Sequence, residues 1–230
     1  EVVSAFQNDS LGSDDAVSIA DKIKKGELSA SLVTQDAIER AKAVNPKLNA
    51  ISVENFDLAQ INSEKSFSGF FLGVPTFIKD TDEVPDLPLY LGSRSLPGEP
   101  SDKYSKAAKQ IIDTGLNCLG TTTTPEFGLT GTTESLRFGA TCNPWNTAYS
   151  TGGSSGGSSA LVASGVIPIA HANDGAGSIR IPASCCGLVG LKASRGRIKD
   201  KEVPGYLPAN ILHDGVVTRS VRDTWAFHAE

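Results

Sequence analysis

Residues 150–192 read STGGSSGGSSALVASGVIPIAHANDGAGSIRIPASCCGLVGLK, and the pattern of this segment is the most informative about the fold. Two glycine-rich turns, at 152–157 and 175–177, bracket one apolar helical segment and one apolar strand. A flexible linker has a similar Gly and Ser content, and such linkers join two self-sufficient domains. Here, however, apolar helical and strand segments follow the glycine-rich turns directly. The pattern therefore predicts turns that build a site.

Helical and strand patterns alternate on the N-terminal side of this stretch. Two amphipathic helices are predicted from Asp15 to about Val44, separated at Lys25-Gly26. The second should end at Asn45-Pro46, because the residue before a proline avoids the helical region of backbone space. Further strands are expected at 50–53, 73–79, 116–119 and 166–170, and further helices at 57–65, 104–113 and from Ser178. This alternation is typical of an α/β fold.

The composition narrows the class of protein. Of the 230 residues, 39% are hydrophobic and 20% are charged, which is ordinary for a globular protein. A net charge of −5 argues against nucleic acid or an anionic membrane as the main partner. No apolar run approaches the roughly 20 residues of a bilayer-spanning helix, and the first residues are polar and acidic. We predict a soluble, cytoplasmic protein, with a removed leader left open.

Neither a metal site nor a phosphate-binding loop is indicated. The cysteines lack the paired C-x-x-C spacing of a zinc site and are too few for a disulfide scaffold. We predict buried thiols at Cys118, Cys142, Cys185 and Cys186. A P-loop requires Gly-Lys-Ser/Thr after the glycines, and the next lysine is Lys192. We therefore expect no metal and no cofactor.

Ser178 follows three small residues, Gly175-Ala176-Gly177, at the start of a predicted helix. Small residues let several backbone N–H groups converge on one point, and a helix N-terminus adds partial positive charge where an oxyanion would form. This arrangement suits an acyl-transfer nucleophile. The alternative is an ordinary N-cap serine.

Ser154 lies in a G-x-S-x-G pattern, although a run this rich in glycine matches the pattern by composition alone. A serine nucleophile needs a base, and histidine is the usual one. No motif places His171, His213 or His228 beside a serine, so we interpret all three as structural residues.

Lys79 follows an apolar strand and is a second candidate for the base. A buried lysine can replace histidine, because burial disfavours its ammonium form. The alternative is a strand-end lysine that reaches water beside Asp80 and Asp82. The residues by themselves leave the choice of base open.

Three separated motifs resemble the amidase-signature family in content, order and spacing: GVPTFIKD at 73–80, STGGSSGGSSALVASG at 150–165 and HANDGAGSIRIPASCCGLVGLK at 171–192. The two candidate serines are 24 positions apart (178 − 154), with a lysine well upstream, as that family requires. The resemblance extends from about Leu28 to the C-terminus and includes DGVVTRSVRDTWAF at 214–227.

The resemblance implies a Ser-Ser-Lys relay in which Ser178 attacks an amide carbonyl, Ser154 takes its proton, and neutral Lys79 accepts the proton from Ser154. It also implies a cis peptide bond between Gly153 and Ser154. The other implied site residues are the oxyanion-hole N–H groups of Gly175, Ala176, Gly177 and Ser178, and the supporting side chains of Ser155, Asp174 and Arg180. Ala176 stands where the family more often has glycine.

The implied fold is a mixed β-sheet core covered by helices, incomplete in this chain. Residues 1–230 would be the N-terminal part of one amidase domain, with a helical segment at about 14–45 and a catalytic core at about 70–230. A terminal helix opens at Ser220, with Asp223 as its acidic N3 residue, and no C-cap glycine follows. We therefore expect a C-terminal half in the same or a second chain. The other expected partner is a small-molecule amide, and a homodimer is left open.

The leading hypothesis is an amidase that hydrolyses linear, non-peptide amides through an acyl-enzyme. The alternative within the family is the catalytic component of a glutamine-dependent amidotransferase, which needs further protein partners. Outside the family, a G-x-S-x-G esterase would use Ser154 with His213 or His228. A non-catalytic half-domain would bind without performing chemistry.

Overall fold

The computed structural model describes residues 1–194, 196–198 and 211–230. The helices are, in chain order, α1 (Ala16–Lys24), α2 (Ala30–Leu48), α3 (Phe56–Ser63), α4 (Lys106–Asp113), α5 (Gly156–Ala163), α6 (Arg180–Cys186) and α7 (Val221–Ala229), with a 3₁₀ turn at Glu126–Gly128. No helix in these three ranges combines the length and the apolar character that a membrane crossing requires.

The strands form two three-stranded sheets and two short ribbons. They are, in chain order, β1 (Ile51–Glu54), β2 (Pro75–Lys79), β3 (Asn117–Thr122), β4 (Glu134–Ser135), β5 (Gly139–Ala140), β6 (Cys142–Asn143), β7 (Asn146–Ser150), β8 (Ile169–Asp174), β9 (Val189–Gly190) and β10 (His213–Thr218). The sheet orders are β1-β3-β2 and β8-β10-β9, and the ribbons pair β4 with β5 and β6 with β7.

The core confirms the predicted mixed sheet covered by helices. Strand β3 is parallel to β2 and antiparallel to β1, while β10 is antiparallel to both β8 and β9. Helices α2 and α5 pack against β2, and α5 and α7 pack against β10. Every residue of β2, β3, β8 and β10 is buried, including polar residues such as Lys79, Asn173 and Asp214.

The two sheets meet along a seam between β2 and β8. Thr76 Oγ1 donates to the Ile169 carbonyl at 3.0 Å, and the Lys79 backbone N–H donates to His171 Nδ1 at 3.1 Å. These contacts advance in the same direction along both strands, so the strands are parallel and their carboxyl ends reach the same edge. In α/β sheets ligands bind outside such carboxyl ends. The seam therefore positions Lys79 next to the turn that follows β8.

One sequence prediction about the end of a helix is corrected by the structure. Helix α2 does not end at Asn45-Pro46 but continues to Leu48, and Asn49 follows in the left-handed conformation with φ 51°. A proline inside a helix removes one hydrogen bond and crowds the carbonyl of the preceding turn, but Leu48 is fully buried and the Asn49 N–H closes onto the Asn45 carbonyl. Burial of the last turn thus outweighs the proline.

At the other end of the chain, Ser220 caps α7 as predicted, accepting from the Asp223 N–H at 3.1 Å. Asp223 does not complete a capping box. Its carboxylate instead accepts from the N–H groups of Ala16 and Val17 at 2.9 Å each. Helices α1 and α7 therefore meet at their N-termini and share one carboxylate.

The glycine-rich stretch is packed, and this excludes a linker. A Cβ added at Gly153 would lie 2.6 Å from the Thr132 carbonyl oxygen, and one at Gly157 would lie 2.6 Å from the Ala50 carbonyl oxygen. Contacts this close leave room only for glycine.

The prediction of buried cysteines is half right: Cys118 and Cys186 are buried, but the other two are half-buried or exposed.

Candidate active site

Lys79 is fully buried at the end of β2, with 0% of its surface exposed. Its Nζ lies 2.6 Å from Ser154 Oγ, 3.0 Å from Ser155 Oγ and 2.6 Å from Asn173 Oδ1. The alternative of a strand-end lysine that reaches water is therefore wrong. The structure joins Lys79 and Ser154, which are 75 positions apart in sequence.

Asn173 was missed by the sequence analysis, and its amide orientation is fixed by Thr81. Thr81 Oγ1 donates to Asp82 Oδ2 at 3.0 Å and accepts from Asn173 Nδ2 at 2.7 Å. The amide nitrogen of Asn173 thus points to Thr81, and its oxygen faces Lys79. Because an amide oxygen can only accept, Lys79 Nζ must donate a proton to it.

Ser155 fixes a second N–H direction of Lys79. The Ser155 hydroxyl donates to the Asn173 carbonyl at 3.3 Å, so its oxygen is left to accept from Lys79 Nζ. Two N–H groups of Lys79 are thereby committed to Asn173 and Ser155. The contact of Nζ with Ser154 Oγ at 2.6 Å is the place where a neutral amine would accept the serine proton through its lone pair.

Ser154 and Ser178 line one cleft of about 400 Å³. Ser154 is buried and Ser178 is half-buried, and the Gly153–Ser154 peptide bond is cis, as the resemblance implied. Within the described ranges no hydrogen bond joins the two serine hydroxyls. Catalytic hydrogen bonds are often long in ligand-free enzymes and shorten when substrate binds. Helix α6 begins at Arg180 rather than at Ser178, so the serine lies in the preceding turn.

The turn that carries Ser178 is organised by the Asp174 carboxylate. It accepts from the Gly177 N–H at 2.7 Å, from the Ile179 N–H at 3.2 Å and from the Arg180 guanidinium at 2.9 and 3.0 Å. Burial alone would raise the pKa of Asp174, but the Arg180 guanidinium and these N–H groups lower it to about 2. Asp174 and Arg180 thus hold the loop, as the resemblance implied.

Only part of the predicted oxyanion hole has free donors. The Gly177 N–H is occupied by Asp174. The N–H groups of Gly175, Ala176 and Ser178 make no hydrogen bond to any part of the chain that the structure describes. Gly177 has φ +122°, which requires glycine, whereas Ala176 has no positive φ and is tolerated where the family more often has glycine.

The walls of the cleft are largely apolar. Besides the two serines, the cleft contains Thr81, Asn173 and the small residues of the Ser178 turn. Its apolar lining residues are Leu91, Phe127, Leu129, Ile181, Ile211 and Leu212. An apolar lining around a few polar groups is typical of small-molecule sites.

The histidines do not contact either serine. His171 is fully buried, its Nδ1 accepts from Lys79, and its Nε2 lies 3.1 Å from Asp214 Oδ1 and 3.8 Å from Asp82 Oδ2. The ligand atoms of these three residues lie within 4.8 Å of one another, but both ring nitrogens of His171 already have partners. His213 begins β10, and neither ring nitrogen of His228 has a partner among the described residues.

Asp80 lies next to Lys79 in sequence but holds a different part of the site. Its carboxylate accepts from the backbone N–H groups of Tyr90 at 3.0 Å and Gly92 at 3.1 Å. Burial raises the pKa of this carboxyl group to about 6, although the two N–H groups oppose the shift. Asp80 therefore secures the 90–92 segment that contributes Leu91 to the cleft.

Comparison with known proteins agrees with this geometry. A family model described as amidase matches residues 32–230. The chain is 48% identical over 230 residues to a Mycobacterium tuberculosis protein named as the amidase AmiC, covering 99% of this chain and 49% of that protein. It is 42% identical over 218 residues to the 6-aminohexanoate-cyclic-dimer hydrolase of Paenarthrobacter ureafaciens, covering 91% and 43%.

A solved structure of a bacterial aryl acylamidase of the amidase-signature family superposes with a TM-score of 0.87 at 33% identity, covering 94% of this chain and 46% of that protein. The chain thus spans about half the length of the curated relatives that it matches. Fold, motif order and sequence identity agree, and this chain belongs to the amidase-signature family.

Proposed function

We propose that the protein carrying this chain is an amide hydrolase with a Ser-Ser-Lys relay of Lys79, Ser154 and Ser178. The observation that supports it best is the 2.6 Å contact between the buried Lys79 Nζ and Ser154 Oγ. An exposed lysine would be protonated and could not act as a base. A buried lysine whose other N–H groups are committed can receive the serine proton.

The reaction that we propose proceeds through an acyl-enzyme. Ser178 Oγ attacks the amide carbonyl carbon and passes its proton to Ser154 Oγ, while the Ser154 proton moves to Lys79 Nζ. The same path returns the proton to the leaving nitrogen, the C–N bond breaks, and the amine departs. Water then attacks the ester on Ser178 with the relay again acting as base, which releases the acid.

The oxyanion of the tetrahedral intermediate is assigned to the backbone N–H groups of Gly175, Ala176 and Ser178. The Gly177 N–H contributes indirectly, because its bond to Asp174 shapes the turn. Removing one oxyanion donor typically lowers kcat by about 10²–10³. Ser155 and Arg180 remain supporting residues in this proposal, one at Lys79 and one at Asp174.

The proposed substrates are small or medium-sized non-peptide amides with an uncharged acyl group, which suits the apolar walls of the cleft. Linear amides are the first expectation. One relative is named as a hydrolase of a cyclic dimer and another, from Rhodococcus erythropolis, as an acylamidase. Linear and cyclic amides therefore both belong in the substrate panel.

The competing functions have less support. The relatives reported above carry amidase or hydrolase names, which favours hydrolysis over glutamine-dependent amidotransfer. A G-x-S-x-G esterase would need a histidine at Ser154, whereas the partner of that hydroxyl is Lys79. A non-catalytic half-domain would have no reason to bury a lysine against two serines.

Amine release from linear amides, cyclic amides, glutamine and a matched ester tests the proposal in the intact protein that carries this chain. Ser178→Ala should abolish turnover of the preferred amide. Ser159→Ala is the matched control, because Ser159 is a buried serine of the same Gly/Ser-rich run whose Oγ has no partner among the described residues. Full activity of Ser178→Ala, or preference for glutamine, would refute the hydrolase proposal.

A further inference from the structure

A buried cluster of three ionisable residues, Asp82, His171 and Asp214, lies beside the Lys79 backbone. His171 is 0% exposed, Asp82 2% and Asp214 4%. They come from three elements: the turn after β2, strand β8 and strand β10. The proposed relay leaves this cluster without a role, and none of its members lines the cleft.

The hydrogen bonds fix the protonation of His171. The Lys79 backbone N–H can only donate, so His171 Nδ1 must accept and carries no proton. The single ring proton is then on Nε2, which donates to Asp214 Oδ1 at 3.1 Å. His171 is therefore neutral, in the Nε2–H form, and a carboxylate holds its ring in place.

The cluster reaches Lys79 from two sides. His171 holds the backbone of Lys79 directly. Asp82 holds the amine end through Thr81 and Asn173, because each group in that chain donates to the next: Lys79 Nζ to Asn173 at 2.6 Å, Asn173 to Thr81 at 2.7 Å, and Thr81 to Asp82 at 3.0 Å. Both the position of Lys79 and the directions of its N–H groups thus depend on this cluster.

We propose that His171, oriented by Asp214, is a positioning residue that holds Lys79 in register at the seam between β2 and β8 and keeps its lone pair directed at Ser154. This inference rests on the proposed function, since it gives His171 a part in the relay. In a regular β-ladder the Lys79 N–H would donate to a backbone carbonyl of the neighbouring strand, whereas here it donates to a ring nitrogen of His171. The sheet is therefore joined at this point by a side chain that can be substituted.

The charges around His171 predict what its loss would do. The groups that face the ring are Asp82 in the turn after β2, Asp214 in β10 and the Lys79 backbone in β2. Asp82 also accepts from Ser105 Oγ at 2.7 Å, whereas the hydrogen-bond donor to Asp214 Oδ1 is His171. Without the ring, the negative charge of Asp214 loses that donor and is less compensated, and a less compensated buried negative charge favours the non-basic ammonium form of Lys79.

Two substitutions separate positioning from packing. His171→Leu removes both the acceptor and the donor, while His171→Asn keeps an acceptor near the place of Nδ1. Thr76→Val is the matched control, because it removes the other side-chain bond of the same seam without touching Lys79. In the intact protein, the rate of Ser178 labelling by a fluorophosphonate is measured against pH, and thermal unfolding reports on folding.

His171→Leu should slow labelling about tenfold to a hundredfold and move the acid limb of the pH profile to higher pH, because a buried donor and a buried carboxylate lose their partners. His171→Asn should recover most of the rate. Thr76→Val should lower the unfolding temperature but leave the acid limb in place. A folded His171→Leu protein with the unsubstituted pH profile, or a His171→Asn protein as impaired as His171→Leu, would overturn the inference.

A spectroscopic measurement separates failure of this inference from failure of the proposed function. Ring ¹⁵N shifts, assigned by difference from His171→Asn, should report the Nε2–H form. An unlabelled Ser178 in the unsubstituted protein refutes the relay itself. A labelled Ser178 together with a protonated or Nδ1–H ring on His171 refutes only the positioning role.

Discussion

Replacing Asn173 by aspartate tests whether Lys79 acts as a neutral amine. Asn173→Asp keeps an oxygen acceptor at the position 2.6 Å from Lys79 Nζ. It exchanges the amide nitrogen, which donates to Thr81, for a second oxygen. The shape of the site is preserved, and the principal change is a negative charge next to the proposed base.

The size of the effect follows from the distance. A unit charge at the observed contact of 2.6 Å would favour the ammonium form by about 6 kcal/mol at an effective dielectric constant near 20. The carboxylate charge is spread over two oxygens whose mean distance from Lys79 Nζ is about 4 Å, and this lowers the preference for the ammonium form to about 4 kcal/mol. Since one pH unit corresponds to about 1.4 kcal/mol, the acid limb of the pH profile should move up by about three units.

The assay is the second-order rate of Ser178 labelling by a fluorophosphonate between pH 5 and pH 10.5. At neutral pH Asn173→Asp should label about a thousandfold more slowly, and most of the rate should return at high pH. Asn62→Asp, which adds the same charge at a half-buried surface position, should leave the profile unchanged. An unshifted acid limb in Asn173→Asp, or a loss of rate that high pH does not restore, would show that Lys79 does not act as a neutral amine.

Two further predictions concern stability. Burial raises the pKa of Asp80 to about 6 from its ordinary value of 3.8, so the folded state binds this proton more tightly than the unfolded state and gains stability as the pH falls through 6. The unfolding free energy of the unsubstituted protein relative to Asp80→Asn should therefore rise by about 2–3 kcal/mol between pH 8 and pH 4. A difference that stays constant with pH in denaturant titrations would contradict this prediction. Gly157→Ala places a Cβ 2.6 Å from the Ala50 carbonyl oxygen and should lower the unfolding free energy by about 1–3 kcal/mol. The control is Gly131→Ala, whose Cβ would have nothing within 4 Å and should leave the unfolding temperature nearly unchanged. Equal effects of the two substitutions would show that the glycine-rich stretch is not tightly packed.

The family resemblance predicted that Lys79 and Ser154 meet, because the residues by themselves had left the choice of base open. Lys79, Ser154 and the Asp174 turn each lie in a stretch whose local pattern is informative: an apolar strand, a glycine-rich turn and a run of small residues. The helix and strand periodicities also predicted most elements, since burial of an apolar face dominates local structure. The mixed sheet followed from the family resemblance and was confirmed.

The partners across the seam could not be predicted from the sequence. His171 is 92 positions from Lys79 and 43 from Asp214, so nothing in the local pattern of PIAHAN indicates a contact with either. Asn173 likewise acquires its role only when β2 and β8 lie side by side. A polar residue on a buried strand was the available signal, because a buried polar side chain must find a hydrogen-bond partner.

The remaining errors have local causes. Pro46 did not end α2, because burial of Leu48 outweighed one lost hydrogen bond. Gly177 was grouped with the oxyanion donors, whereas its N–H is bound by Asp174. The resemblance implied four backbone donors at one turn, but only the three-dimensional path of that turn decides which of them remain free.

Mass spectrometry of the intact protein after reaction with a fluorophosphonate identifies the nucleophile, because it maps the labelled residue. The relay predicts one covalent adduct on the peptide that contains Ser178, lost in Lys79→Ala and retained in Ser159→Ala. An adduct on Ser154, or a Ser178 adduct that forms at an unchanged rate in Lys79→Ala, would contradict it.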